Sequence, residues 1–82
     1  MSDTAEVVTK YLRENFATGD TLTPDTDLIN SGVIDSFALI QLVSHLESEF
    51  GITFGPTDLT SSLMSSVKGI AIVVDQLRSP KQ

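Results

Sequence analysis

The spacing of apolar residues predicts two long amphipathic helices in the first part of the chain. From Thr4 to Phe16, apolar side chains recur every three or four residues, which places them on one face of a helix. After Asp35 the same spacing continues as far as Gly51, a residue that commonly ends helices. Either Asp35 or Ser36 can accept hydrogen bonds from the free amides of the first turn. The core positions predicted for these helices are Val8, Leu12, Phe16, Leu39, Leu42, Val43, Leu46 and Phe50.

The rest of the chain predicts a third main helix, a short helix and a long loop. Apolar residues recur at helical spacing from Val67 onward, and Ser65 or Ser66 can cap this helix. One helical turn is predicted for residues 57–59. Residues 18–26 are polar and rich in turn formers, which indicates a long loop between the first two helices. The apolar residues expected to pin this loop to the bundle are Leu28, Ile29, Val33 and Ile34. The predicted fold is all-α, a small four-helix bundle with three main helices and one short helix.

Composition indicates a single small domain over residues 1–82, with a core from about residue 4 to residue 78. The chain is 40% apolar and 20% charged, which is too hydrophobic for a disordered acidic segment. Without cysteine it cannot form disulfides, zinc-thiolate sites or a catalytic thiol of its own. The longest apolar run, residues 70–74, is far too short for a membrane span, and the N-terminus does not resemble a signal peptide. We therefore expect a cytoplasmic protein.

The net charge of −6 is unevenly distributed. Between Glu14 and Val67 there are eight acidic residues and no lysine or arginine, so all five basic residues lie in the terminal helices or the tail. This distribution argues against binding to nucleic acid or to anionic membranes. It favours a basic protein partner and a monomeric state, because a strong negative field steers basic partners and repels copies of itself. Alternatively, the acidic residues only keep a small domain soluble.

The segment most informative about chemistry is residues 32–37, a loop that ends in a serine at the start of a helix. Taken alone, Asp35-Ser36 is a helix N-cap, since aspartate and serine are preferred there. The sequence contains no metal-ligand cluster, no nucleophile paired with a base and no phosphate-binding glycine loop, so we expect no catalytic activity and no metal. His45, the only histidine, is expected on the solvated polar face of its helix rather than acting as a base.

Three segments, in this order and at compatible spacing, resemble the acyl and aminoacyl carrier protein family of phosphopantetheine-binding bundles. Asp35-Ser36-Phe37 matches the family's Asp-Ser-(Leu/Met) motif. Residues 25–28 look like its loop segment, and residues 46–52 look like its Leu-Glu-x-x-Phe-Gly-Ile helix end. The resemblance extends from about Glu6 to Leu77. The form around the serine is most similar to free-standing carriers, such as D-alanyl carrier proteins and specialised acyl carriers.

The resemblance implies that Ser36 carries a covalent 4'-phosphopantetheine arm, with Asp35 as the flanking motif residue. A separate phosphopantetheinyl transferase would transfer the arm from coenzyme A. The arm's thiol would hold an acyl or aminoacyl intermediate as a thioester and shuttle it between enzymes of lipid or secondary-metabolite biosynthesis. The implied loading partner is an adenylate-forming acyl or aminoacyl ligase, or another acyl-transfer enzyme.

Helical geometry places a set of side chains beside Ser36, where they can form a docking surface for these enzymes. The candidate docking residues are Phe37, Ile40, Gln41, Ser44, Glu47 and Ser48. Phe37 and Ile40 can equally well cover the core. The alternative function is a cofactor-free acidic helical domain that binds other proteins, in which Ser36 is only a helix N-cap.

Overall fold

The computed structural model describes residues 3–16 and 22–78, and over these residues the fold is all-α with no β-strand. The helices are α1 (Asp3–Asn15), α2 (Ser36–Phe50), α3 (Pro56–Leu59) and α4 (Val67–Arg78). This confirms the predicted fold of three main helices and one short helix, each beginning within one residue of its predicted start. A 3₁₀ turn over Ser62–Ser65 lies between α3 and α4 and was not predicted. Residues 18–21 of the predicted long loop lie outside the described residues.

The core lies where α1, α2 and α4 meet, and α4 makes its most extensive contacts with α1 and with the 3₁₀ turn. The side chains with no exposed surface are Val8, Leu12, Leu28, Leu42, Leu46, Val67, Ile70 and Val74. On α2 the predicted core residues Leu42, Val43 and Leu46 are buried, and Leu39 and Phe50 pack at the edge of the core. Leu39 and Phe50 are half-buried, and Ala38, which was not predicted as a core residue, is buried. Ala38, Leu42 and Leu46, spaced four apart, form the centre of the buried stripe, so Leu39 lies at its edge.

Two glycines shape the connections of this bundle. Gly51 ends α2 as predicted, in the left-handed conformation (φ 65°), and its amide donates to the Glu47 carbonyl oxygen. At Gly69 a β-carbon would overlap the Leu63 carbonyl oxygen. Glycine therefore allows the first turn of α4 to contact the backbone of the 3₁₀ turn directly.

One end of the bundle, here called the closed end, is held by a cluster of side chains from three helices. The Thr4 hydroxyl is almost completely buried and donates to the Asp75 carboxylate at 2.6 Å. Arg78 donates to the Thr4 hydroxyl at 3.1 Å and lies 3.8 Å from the Asp75 carboxylate. The Arg78 guanidinium also lies 4.8 Å above the centre of the Phe50 ring, in cation–π geometry. These contacts join the start of α1 to the ends of α2 and α4.

Ser36 lies at the opposite end of the bundle, here called the open end. It begins α2, whose last residue, Phe50, contacts Arg78 at the closed end. The open end also contains Phe16, just beyond α1, and the loop that leads into α2.

Candidate functional site

The loop before Ser36 is anchored to the 3₁₀ turn and to the start of α4 mainly through its backbone. The Lys68 amide donates to the Pro24 carbonyl oxygen at 2.9 Å, and the Leu28 amide donates to the Ser65 carbonyl oxygen at 2.7 Å. The Ile34 amide returns to the Leu28 carbonyl oxygen at 3.1 Å, and both of these side chains are buried. Leu28 and Ile34 thus pin the loop as predicted, and the polypeptide enters α2 from a fixed direction.

A tight turn within this loop is organised by Asp27. Its carboxylate accepts from the Asn30 amide at 3.0 Å and from the Asn30 side chain at 2.7 Å. Hydrogen bonds from the Asn30 backbone and then from its side chain lower the pKa of Asp27 below the ordinary value for aspartate. The carboxylate is therefore held in its charged form as the acceptor that keeps the turn closed.

Asp35, not Ser36, is the N-cap of α2. Its backbone is extended (φ −107°, ψ −176°), and its carboxylate accepts from the Ala38 amide at 2.8 Å. Ser36 is therefore the first residue of the helix, where its side chain is exposed. Among the described residues, none forms a hydrogen bond with the Ser36 hydroxyl. Because Asp35 caps the helix, the serine hydroxyl is left accessible to an incoming reagent.

An open groove of about 470 Å³ lies between the loop and the first turn of α2, and Ser36 is part of its lining. It is lined by Phe16, Ile29, Gly32, Val33, Ile34, Asp35, Ser36 and Ala38. Val33 is half-buried and packs against the core as predicted, whereas Ile29 is exposed, so the prediction that it pins the loop to the bundle was wrong. Ile29, Val33 and the buried Ile34 all line the groove, whereas Leu28 is fully buried and does not.

The residues around Ser36 fit a covalently attached phosphopantetheine. The serine is accessible, and the N-terminus of α2 carries a partial positive charge that favours a phosphodiester.

The surface of α2 next to Ser36 carries two strongly exposed apolar side chains. Phe37 is 68% exposed and Ile40 is 64% exposed, so these residues do not cover the core. Gln41, Ser44 and Ser48 are also exposed. Because none of these five side chains is charged, this surface offers apolar and neutral polar contacts to a partner.

Glu47, also a candidate docking residue, has a role within the domain. Its carboxylate accepts from the Phe54 amide at 2.9 Å and so ties α2 to the connector that follows it. Asp58 similarly accepts from the Gly55 amide at 2.8 Å at the start of α3. Together with Asp27 and Asp35, these are four of the eight acidic residues between Glu14 and Val67. Half of the acidic residues in this stretch therefore accept hydrogen bonds from nearby backbone amides within the domain.

The predicted position of His45 on a solvated polar face was wrong. Its ring stacks on Tyr11 of α1 with the ring centres 4.3 Å apart and the planes 24° apart, and the residue is half-buried. Tyr11 in turn makes an edge contact with Phe16, with 6.2 Å between ring centres. His45 thus helps α2 pack on α1, a contact that its spacing along α2 alone did not indicate.

Within residues 3–16 and 22–78, no group of three or more histidine, cysteine or acidic side chains is placed to hold a metal ion. Over the same residues, no helix is both long enough and apolar enough to cross a membrane.

Comparison with known proteins shows the family. No curated protein and no solved structure matches the chain significantly. The family model described as "phosphopantetheine attachment site" matches residues 6–73, which is most of the chain and includes Ser36. The resemblance found in the sequence is thus confirmed for the family, and the subtype stays a prediction. Domains of this family are non-catalytic carriers with a covalently attached 4'-phosphopantetheine, supplied by separate transferases. The chain belongs to the phosphopantetheine attachment-site family of carrier domains.

Proposed function

We propose that residues 1–82 form a single carrier domain whose phosphopantetheine arm is attached to Ser36. The arm's thiol holds an acyl or aminoacyl intermediate as a thioester. The observation that carries this proposal is the position of Ser36. It is an exposed serine at the first position of α2, with a hydroxyl not engaged by the described residues, inside the region matched by the family. Asp35 supports this role by taking over the cap of the helix.

The attachment is a phosphoryl transfer. The Ser36 oxygen attacks the phosphorus that bears pantetheine in coenzyme A, and a new P–O bond forms. The phosphoanhydride bond breaks, and adenosine 3',5'-bisphosphate leaves with the bonding electron pair. A serine hydroxyl needs a base to take its proton, and no histidine or lysine is near Ser36 in sequence. The base and a magnesium ion are therefore supplied by the transferase.

The exposed surface of α2 beside Ser36 is the proposed docking site for partner enzymes, with Phe37 and Ile40 as its apolar contacts. Gln41, Ser44 and Ser48 continue this surface, and Glu47 lies at its far end. Exposed apolar side chains contribute most to the free energy of binding, because a partner that covers them removes their surface from water. The proposed partners are the transferase and an adenylate-forming acyl or aminoacyl ligase, or another acyl-transfer enzyme, acting on a cytoplasmic monomer.

Intact-mass spectrometry after incubation with coenzyme A, magnesium and a broad-specificity transferase tests the attachment. The wild-type protein is expected to gain one phosphopantetheine, and Ser36→Ala is expected to gain none. Ser44→Ala, which removes another exposed serine of the same helix, is the matched control and is expected to be modified like the wild type.

Two results would contradict the proposal. A modified Ser36→Ala protein would place the arm on another residue. An unmodified wild type with several transferases would instead favour the cofactor-free interaction domain, in which Ser36 is only part of the first helical turn.

A further inference from the structure

A second groove, here called the α4 groove, is formed by α1, α4 and the loop, and no residue of α2 lines it. Its volume is about 480 Å³. The apolar part of its lining consists of the buried Ala5 and Ala71, the half-buried Pro24, and Ile72, which is 39% exposed. Small buried residues beside an exposed isoleucine leave room for an apolar side chain of a partner.

Charged side chains of both signs border the α4 groove. Lys68 and Asp25 are exposed, and among the described residues neither side chain has a hydrogen-bond or ion-pair partner. Asp75 contacts Thr4 and Arg78 through the same oxygen, Oδ1. Its Oδ2 atom has no partner within the part of the chain that the structure describes. Charged groups without an internal partner are therefore available to a molecule that enters the groove.

The charges on the α4 side of this groove have a fixed order. Lys68, Ile72 and Asp75 are spaced four and three residues apart, which places them on one face of the helix. The two charged residues are separated by about 10 Å along the helix axis, since each residue adds about 1.5 Å. From the start of α4 toward its end, this face is therefore positive, then apolar, then negative.

We propose that the α4 groove binds an amphipathic helix of a partner protein, antiparallel to α4. This helix carries a basic, an apolar and an acidic side chain in that order, at the same spacing. Its apolar side chain packs on Ile72, its basic group contacts Asp75, and its acidic group contacts Lys68. The antiparallel direction brings helix ends of opposite partial charge together.

The partner is a different protein, and it binds without using Ser36. A second copy of this chain is disfavoured because each copy has a net charge of −6, so that two copies repel each other. Since no residue of α2 lines the α4 groove, a partner bound there leaves Ser36, Phe37 and Ile40 uncovered. The proposal therefore goes beyond the proposed function and adds a second interaction surface to the domain.

Nuclear magnetic resonance titration of the unmodified full chain with alanine-based helical peptides tests the groove. The matched peptide carries lysine, leucine and glutamate in the proposed order and spacing, and the reversed peptide exchanges its lysine and glutamate. We expect the matched peptide to shift the signals of Lys68, Ala71 and Ile72 but not those of Phe37 and Ile40. The reversed peptide should bind about threefold more weakly, because exposed ion pairs each contribute little. Using unmodified protein keeps the result independent of attachment at Ser36.

Substitutions in the groove provide the second arm of the test. Ile72→Asn should weaken binding of the matched peptide at least about threefold, because the apolar contact is lost. Ile40→Asn, at an exposed isoleucine of α2, is the matched control and should leave binding unchanged. Lys68→Glu should abolish the preference for the matched peptide over the reversed one. Spectra of the free variants verify the fold.

Three results would overturn the proposal. The first is that the matched peptide shifts no signals of the α4 groove, or shifts only those of α2. The second is that wild-type protein binds both peptides equally, because the order of charges on α4 would then not select the partner. The third is a dimer in analytical ultracentrifugation that Ile72→Asn dissociates, because the occupant would then be a second copy of the chain.

Discussion

The two ends of the bundle are stabilised by different kinds of interaction. At the closed end, side chains of Thr4, Asp75 and Arg78 connect α1 to α4, and Arg78 covers the Phe50 ring. At the open end, the loop is held mainly by backbone hydrogen bonds and by the buried side chain of Leu28. The open end can therefore leave the Ser36 hydroxyl and several apolar side chains in contact with solvent.

This difference allows the bundle to be stabilised at one end while the Ser36 hydroxyl stays accessible at the other. Backbone hydrogen bonds position the loop without using the side chains that face the groove, so those side chains can contact a ligand. At the closed end, by contrast, the polar side chains form hydrogen bonds with one another. No buried side-chain nitrogen or oxygen among the described residues lacks a partner.

Removing the apolar anchor of the open end is expected to have the largest effect on stability. Leu28 is fully buried, so Leu28→Ala should lower the free energy of unfolding by about 2–5 kcal/mol. The neighbouring Ile29 is 37% exposed, so Ile29→Ala is the matched control and should cost less than about 1 kcal/mol. Urea unfolding followed by circular dichroism measures both. Equal losses for the two variants would mean that the loop is not anchored through Leu28.

A smaller loss is expected from the closed end. Thr4→Val keeps the shape of a buried side chain but removes the hydroxyl that bonds Asp75 and Arg78. The expected loss is about 1–2 kcal/mol, since both partners are partly exposed and regain water. Thr9→Val, at a half-buried position of the same helix, is the control. The same urea titration measures the loss. If Thr4→Val also slowed modification of Ser36, the two ends would not be independent.

The smallest expected effect concerns docking. Phe37→Ala and Ile40→Ala should each lower kcat/KM of the transferase about fivefold, which corresponds to about 1 kcal/mol of binding energy lost in the transition state. Stability should change little because both side chains are exposed. Ile72→Ala on α4 is the control. Unchanged kinetics in the Phe37 and Ile40 variants would move the docking surface away from this part of α2.

Local patterns in the sequence predicted the helices but not how their faces meet. The apolar spacing and Gly51 located α2, because helix periodicity and a left-handed cap are properties of adjacent residues. Whether Asp35 or Ser36 caps α2 was open, since both residue types suit the position. In the structure Asp35 is the cap, because its carboxylate accepts a hydrogen bond from the Ala38 amide.

The contacts that were missed all join residues on different elements of the fold. His45 of α2 stacks on Tyr11 of α1. The sequence around His45 does not indicate which residue of another helix it contacts. The bond between Thr4 and Asp75 spans nearly the whole chain. The close approach of Gly69 to Leu63 depends on how the 3₁₀ turn meets α4.

The sequence by itself determined the all-α class, the approximate helix limits and, through its resemblance to carrier proteins, Ser36 as the candidate residue. These follow from the period of the α-helix, from capping preferences and from a short motif. The tertiary structure alone decided which loop side chains are buried and which face a groove, since Leu28 and Ile29 are adjacent and equally apolar. It also decided that Phe37 and Ile40 are exposed, because burial depends on which neighbouring element packs against a helix face.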